Sequence, residues 1–278
     1  LYPRMRERPP EFRINPANPL WCDCELIITA TPYGQRIAPD LSPTQNHGRM
    51  DPNLSIVTVW IPELARFGYR LSGGSYDAIA TAPSPRLPPA YDDWTVLAWI
   101  KPDYRETIHL IIDARIGGDR AGFECFTGDH SYANKRFSFA LNDTSAHKYL
   151  GCYGPILTNQ LSFISLVVSR SQDTARYYCN GIHYATIDIS ATSGSINPGN
   201  IKYRIGGQLH QLGYVYYGIL TDVIQVNKCL SSSEIAALAD PSNVDLRVGG
   251  VPLILPPRRR LWPVAPVAEA VFLKRRNL

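Results

Sequence analysis

Six histidines, six cysteines and twenty-four carboxylates are the groups in this 278-residue chain that could carry metal, nucleophilic or acid–base chemistry. Their spacing organises little of it. His47, His109, His130, His147, His183 and His210 show no metal-ligand spacing, and no serine occupies a Gly-x-Ser-x-Gly elbow. Hydrolysis of a glycosidic bond needs two carboxylates converging on one cleft, and no Glu-x-Asp-x-Glu run offers them on a single strand. Asp92 and Asp93 are adjacent and would point to opposite faces of a strand, while Asp119 and Glu124 fall in a Gly-rich stretch that reads as loop. No catalytic residue is assigned, and an enzyme is not expected. Cys22, Cys24, Cys125, Cys152, Cys179 and Cys229 form no Cys-x-x-Cys pair. They read as buried thiols, as does Cys179 in the apolar run Tyr177-Tyr178-Cys179. Cys22 and Cys24 share a face if their segment is a strand, but two further ligands are missing, so no metal or cofactor is expected.

The groups suited to binding are aromatic and basic. Tyr203, Tyr214, Tyr216 and Tyr217 form the densest aromatic group, and a ring face can stack on a pyranose. Tyrosines with bonded hydroxyls are also common core residues, and core packing is the first reading here. Arg258, Arg259 and Arg260 beside Trp262 suit a phosphate or a carboxylate-rich protein surface, but are too few to argue for nucleic acid. The net charge of +4 is unevenly spread: residues 1–13 carry +2, residues 247–278 carry +6 and the body between them −4. Basic ends on an acidic body read equally as docking on an acidic neighbour or as simple solubility. Arg4, Arg6, Arg8, Arg258, Arg259, Arg260 and Trp262 are the candidate partner-binding residues.

With 45% hydrophobic and 19% charged residues the composition is globular, and no run approaches the roughly 18 apolar residues of a membrane span. The chain is expected to be soluble. It begins at Leu1, and residues 1–13 lack the apolar stretch of a signal peptide, as in a trimmed chain.

These groups must be positioned mainly by strands. Prolines 3, 9, 10, 16 and 19 keep the opening segment extended, so regular structure is expected from Trp21. Short strands are predicted over Glu25–Ala30, Leu54–Ile61, Tyr69–Leu71 and Tyr76–Ala80, with a proline-interrupted surface connection over 81–90. Five further runs follow: Trp94–Ile100, Arg136–Leu141, Leu161–Arg170, Arg176–Ile189 and Gly218–Val226. The first is apolar on both faces and therefore central; the second alternates as though one face were exposed. Asn180-Gly181 is a hairpin signal, because both positions of such a turn need positive φ. Ser231-x-x-Glu234 is a capping box opening one short helix that Asp240-Pro241 should end. Beyond it, prolines 252, 256, 257, 263 and 266 predict an extended tail.

The combination of Asp40-Leu41-Ser42 with Asn46-His47-Gly48, Trp94 through Pro102, Tyr178-Cys179-Asn180-Gly181, Arg204-Ile205-Gly206, Gly218-Ile219-Leu220, and Leu230-Ser231 with Glu234-Ile235 resembles the laminin G-like, concanavalin A-like lectin/glucanase domains. The resemblance covers about residues 25–240. It implies an all-β jelly-roll sandwich of two antiparallel sheets with a short helix near its C-terminal end. It also implies a calcium site in many members, at positions where this chain carries Ser72 and Thr221 in the oxygen-rich slots, with only Asp77 and Asp222 nearby. Calcium needs several oxygens with negative charge, so these aspartates read as solvated or turn-stabilising.

The expected organisation is an N-terminal arm over 1–24, the jelly roll over 25–240 and a Pro/Arg-rich arm over 241–278. The expected function is a non-enzymatic structural or adhesion protein, an outer component of a virion or surface assembly, held by its arms to neighbouring subunits in a homo-oligomer. The alternative is a lectin-like binder of a surface glycan, its site built from loops at Gly117-Gly118, Asp129-His130 and 208–213.

Overall fold

A computed structural model describes residues 23–30, 36–50, 56–64, 66–72, 79–84, 87, 89, 91–103, 109–115, 121–127, 136–143, 147–155, 159–197, 201–207 and 215–241. In chain order the strands are β1 (Cys24–Ile28), β2 (Ile37–Ala38), β3 (Gly48–Met50), β4 (Val57–Ile61), β5 (Arg66–Ser72), β6 (Ile79–Ala80), β7 (Trp94–Pro102) and β8 (His109–Arg115). They continue with β9 (Gly122–Thr127), β10 (Arg136–Asn142), β11 (His147–Pro155), β12 (Ser162–Ser169), β13 (Thr174–Cys179), β14 (Ile182–Asp188), β15 (Arg204–Ile205) and β16 (Tyr217–Val226). A helix, α1 (Ser232–Ala239), follows the last strand.

These strands form two antiparallel sheets. The first runs β14-β13-β12-β7-β16-β5-β4, with β1 also on β16; the second runs β11-β10-β9-β8-β15-β6-β3-β2. β16 changes partner along its length, pairing with β5 through residues 217–220 and with β1 through 223–226. The change occurs at a bulge where Asp222 adopts φ +50°. Arg66 of β5 ion-pairs with the Asp222 carboxylate, and Thr29, just past β1, donates its hydroxyl to it at 2.9 Å. Both partner strands are thereby tied to the bulge.

The sheets close on a core in which Trp94 of the first packs on Phe123 of the second with ring centroids 4.6 Å apart. Phe137 stacks on Tyr177 at the same separation, with planes only 6° apart. Tyr203 and Tyr216 are fully buried in this core. A second apolar layer lies on the other side of the first sheet, where Leu97, Trp99, Phe163, Val167 and Ile224 meet Leu230 and Ile235. The alternation of β7 explains both layers, since successive side chains leave on opposite faces.

Helix α1 is placed by local chemistry. Ser231 accepts from the Glu234 backbone N–H, and Glu234 accepts from the Ser231 N–H at 2.7 Å, completing the capping box. Thr95 of β7 accepts from the Leu230 N–H and donates to the Lys228 carbonyl, which fixes the chain entering the helix. Full burial of a side chain such as Ile235 contributes about 1.5–3 kcal/mol.

The Asp40 to Gly48 segment, one of the family-like stretches, is a structural knot. Asp40 Oδ1 accepts from the N–H groups of Ile27 and Ser42, and Oδ2 from the Asn46 N–H and the Ser42 hydroxyl. His47 Nδ1 accepts from the Asp40 N–H at 3.0 Å. A single carboxylate thus ties β1 to the turn leading into β3.

Several expectations are corrected. Strands β8, β9 and β11 were absent from the sequence reading, and Glu124, read as loop, lies inside β9. β10 is buried on both faces, Ser138 and Ala140 included, so its alternation does not mark an exposed side. Within the proline-interrupted connection Leu87 is buried and Ser84 bridges to Ile201, so this segment packs into the fold. Among the described residues the first strand starts at Cys24 and β6 at Ile79; Trp21, where regular structure is expected to begin, and residues 73–78 lie outside the described set. The Asn180-Gly181 hairpin forms as expected, with φ of +50° and +79°.

Candidate functional site

The outer face of the second sheet carries a lane of charged groups in register. Cross-strand partners share a face, and the ladders place Glu124 of β9 opposite Asp113 of β8, Asp113 opposite Arg204 of β15, Arg204 opposite Ala80 of β6, and Ala80 opposite Arg49 of β3. Ile37 of β2 stands opposite Arg49 and ends the row, 49% exposed. The next row inward is apolar: Ile112, Ile205, Ile79 and Met50 face the core.

Two backbone features set this lane. β8 has a bulge between Leu110 and Ile112, which directs Leu110, Asp113 and Arg115 outward together. At the start of β9, Gly122 adopts φ +140° where a Cβ would collide with the Ala114 carbonyl, so the two strands approach as closely as they do only with glycine there. Strand β9 can then place Glu124 beside Arg115.

The charged groups compensate one another. Arg115 Nε donates to Asp113 Oδ1 at 3.0 Å, and its Nη2 lies 2.7 Å from Glu124 Oε2. Asp113, Arg115, Glu124 and Arg204 are 2%, 7%, 5% and 7% exposed, a depth at which a charge is tolerated only when paired. Arg204 is the least satisfied: its Nη1 is 3.9 Å from Asp113 Oδ2 and makes no hydrogen bond. Burial lowers the pKa of this guanidinium, Asp113 opposes that shift and Arg115 adds to it. Beyond Arg204 the lane opens, since Ala80 is half-buried and Arg49 exposed.

This arrangement is a nearly buried charge network that compensates itself internally. Asp113 and Glu124 face one another, but one guanidinium occupies an oxygen of each, where an acid–base pair would have to present them to a substrate.

Arg4, Arg6, Arg8, Arg258, Arg259, Arg260 and Trp262 lie outside the described residues, as do Asp77, Tyr214 and the loops at Gly117-Gly118, Asp129-His130 and 208–213. Tyr203 and Tyr216 are core residues, as the first reading had it, and Tyr217 is half-buried beside His109. At the calcium-like slot, Thr221 donates to the Phe67 carbonyl at 2.9 Å, and Asp222 is held by Arg66. Asp222 is therefore bulge-stabilising and buried, and the solvated alternative is corrected. Among the described residues no group of three or more His, Cys, Asp or Glu is placed to hold a metal ion. Cys24, Cys125 and Cys179 are buried and Cys229 is half-buried.

Asp113, Arg115 and Arg49 were missed as candidates, and Arg204 was noted only as part of a family-like stretch. One signal for them was available: Asp113-x-Arg115 and Glu124 interrupt otherwise apolar runs, which is how charges buried in strands look in sequence.

The profile of the concanavalin A-like lectin/glucanases superfamily matches residues 73–236. Among solved structures, the chain is similar to the binding domain of Paraclostridial Mosquitocidal Protein 1, with 14% identity and a TM-score of 0.62 over 79% of this chain and 52% of that one. It is also similar to a botulinum neurotoxin type C structure described by its interaction with two ganglioside molecules, at 13% identity and TM-score 0.58, covering 79% and 51%. The binding domain of botulinum neurotoxin DC in complex with rat synaptotagmin II gives 14% identity and TM-score 0.58, covering 79% and 52%. The chain thus spans about half the length of these structures, and at such identities the likeness establishes the fold. A comparison with curated protein sequences found no match.

Proposed function

The chain belongs to the concanavalin A-like lectin/glucanases superfamily, and we propose that it is a non-enzymatic recognition module that binds a surface glycan or receptor through the outer face of its second sheet. The carrying observation is the contrast between the two outer faces. That of the first sheet is apolar and packs against Leu230 and Ile235, whereas that of the second holds a nearly buried network of Arg115, Glu124, Asp113 and Arg204 that gives way to half-buried Ala80 and exposed Arg49 and Ile37. The ganglioside and synaptotagmin ligands named for the similar toxin structures support the reading by analogy of fold. An extracellular or surface location fits it.

A glycan array probed with the full chain, alongside turnover assays on a polysaccharide panel, tests this reading. Retention of a defined glycan set without turnover is expected; turnover of any polysaccharide would overturn the non-enzymatic assignment.

A second reading, favoured by the charge split between basic ends and acidic body, makes the module an outer component of a virion or other surface assembly. Arg4, Arg6, Arg8, Arg258, Arg259, Arg260 and Trp262 would grip neighbouring subunits, and a homo-oligomer is part of this proposal. Deleting residues 247–278 should then release the protein from its assembly while leaving its thermal unfolding unchanged. Undiminished incorporation would refute it.

A further inference from the structure

The described residues end beside an open edge of the first sheet. Helix α1 closes against the β13–β14 turn, where a Cβ on Gly181 would lie 3.0 Å from the Ala236 Cα and 3.2 Å from the Ala239 Cβ. Asp240 is extended, with φ −78° and ψ 112°, so the chain leaves the helix where β14 begins, and the description ends at Pro241. Among the described residues no strand lies on the outer side of β14, so alternate N–H and C=O groups along it point away from β13. Its apolar side chains Ile182 and Tyr184 are 61% and 41% exposed. A bulge at Tyr184 interrupts the ladder with β13, which is regular from Ala185 to Asp188. Along that regular part Ala185 and Ile187 pack against the core, while Thr186 and Asp188 are exposed on the opposite face.

The sequence that follows Pro241 has the pattern of a strand. Val244, Leu246 and Val248 alternate with Asp245 and Arg247, and Gly249-Gly250 closes the run. The exit point sets where such a strand would lie. Starting with Pro241 beside Ile182 and advancing with β14 at the same rise per residue, it would bring Val244 level with Ala185, Leu246 with Ile187 and Arg247 with Asp188. Two separate properties agree in this register. The apolar residues fall on the core side, continuing the row of Ala185 and Ile187, and Arg247 falls beside a carboxylate of opposite charge. A slip of one residue would turn Asp245 and Arg247 toward the core and lose both. A parallel strand added to the edge of an antiparallel sheet is an ordinary arrangement.

We propose that residues 242–248 dock within their own chain as a strand parallel to β14 on the open edge of the first sheet, so that the basic, proline-rich remainder of the tail projects from the far end of that edge. Hydrogen–deuterium exchange of the full chain tests it, on the wild type and on Leu246→Asp, Arg247→Asp and the pair Asp188→Arg with Arg247→Asp. An edge strand opens locally before the sheet does. Leu246→Asp is therefore expected to speed exchange of the β14 amides and of residues 244–248 by roughly tenfold or more, while the amides of β7 and β12 keep their wild-type rates and report an intact fold. Arg247→Asp should speed the same amides, and the paired exchange of charges should restore them. Equal β14 rates in the wild type and Leu246→Asp would overturn the proposal. Charge exchange without recovery would overturn the register on which it rests. Protection that rises with protein concentration, together with a dimer in sedimentation, would show that a second copy donates the strand and would overturn docking within one chain.

Discussion

Arg204 Nη1 stands 3.9 Å from Asp113 Oδ2, opposite it across β15 and β8 yet beyond hydrogen-bond range. The same aspartate is bonded at its other oxygen by Arg115, which also bonds Glu124. One arginine is thus committed to holding the carboxylates, while Nη1 of the other is buried without a hydrogen bond.

Removing the committed arginine should be costly to the fold. Arg115→Gln leaves two nearly buried carboxylates facing each other across β8 and β9, and breaking a buried pair in this way costs about 3–5 kcal/mol. Urea unfolding measures it. A change below about 1 kcal/mol would mean that the network carries no such compensation.

Asp40 poses a comparable test away from the lane. Its carboxylate accepts from Ile27, Ser42 and Asn46 backbone N–H groups at 2.7–2.9 Å. Asp40→Ala is expected to destabilise by about 3 kcal/mol or more, each bond to a charged group contributing about 1.5–3 kcal/mol. The midpoint of denaturant unfolding, followed by tryptophan fluorescence, should fall while the transition stays single.

The capping box makes a smaller, pH-dependent contribution. Burial raises the Glu234 pKa, but bonds from the Ser231 N–H and hydroxyl, with Lys228, hold it below the ordinary glutamate value. A lowered native pKa means the stabilisation is fully present above that ordinary value and is lost as pH falls through the native one. Ser231→Ala should cost about 1 kcal/mol near neutrality, and the difference from wild type should shrink in acid. A difference that grew on acidification would show the opposite sign of linkage.

Thiol chemistry reads the core directly. Burial pushes the Cys24, Cys179 and Cys229 thiols above their ordinary pKa, most strongly for Cys24, where Asp23 adds to the effect. Thiolate is the reactive form, so mass-mapped alkylation of the native protein at pH 8 should leave Cys24, Cys125 and Cys179 unmodified until denaturant is added. Rapid native labelling at Cys125 would contradict the packing of the two sheets.

The fold was largely legible because its central strands are extreme in composition. Trp94 through Pro102 is apolar on both faces, Asn180-Gly181 marks a tight hairpin, and Ser231 with Glu234 marks a helix start. Strands β8 and β9 were not legible for a physical reason. The bulge at Ile111 breaks the alternation, and Asp113, Arg115 and Glu124 place charge where burial normally places hydrocarbon. The lane was illegible for the same reason, since its members are far apart in sequence and are assembled only by pairing between β3, β6, β15, β8 and β9.

The measurement that bears most directly on the central claim is glycan retention by Ala80→Trp compared with wild type. Tryptophan is well tolerated in strands, and at this half-buried position it would fill the floor between Arg204 and Arg49. The account predicts that the variant folds with an unchanged unfolding midpoint and loses the glycans that the wild type retains. Full retention by a folded Ala80→Trp would place recognition somewhere other than the outer face of the second sheet.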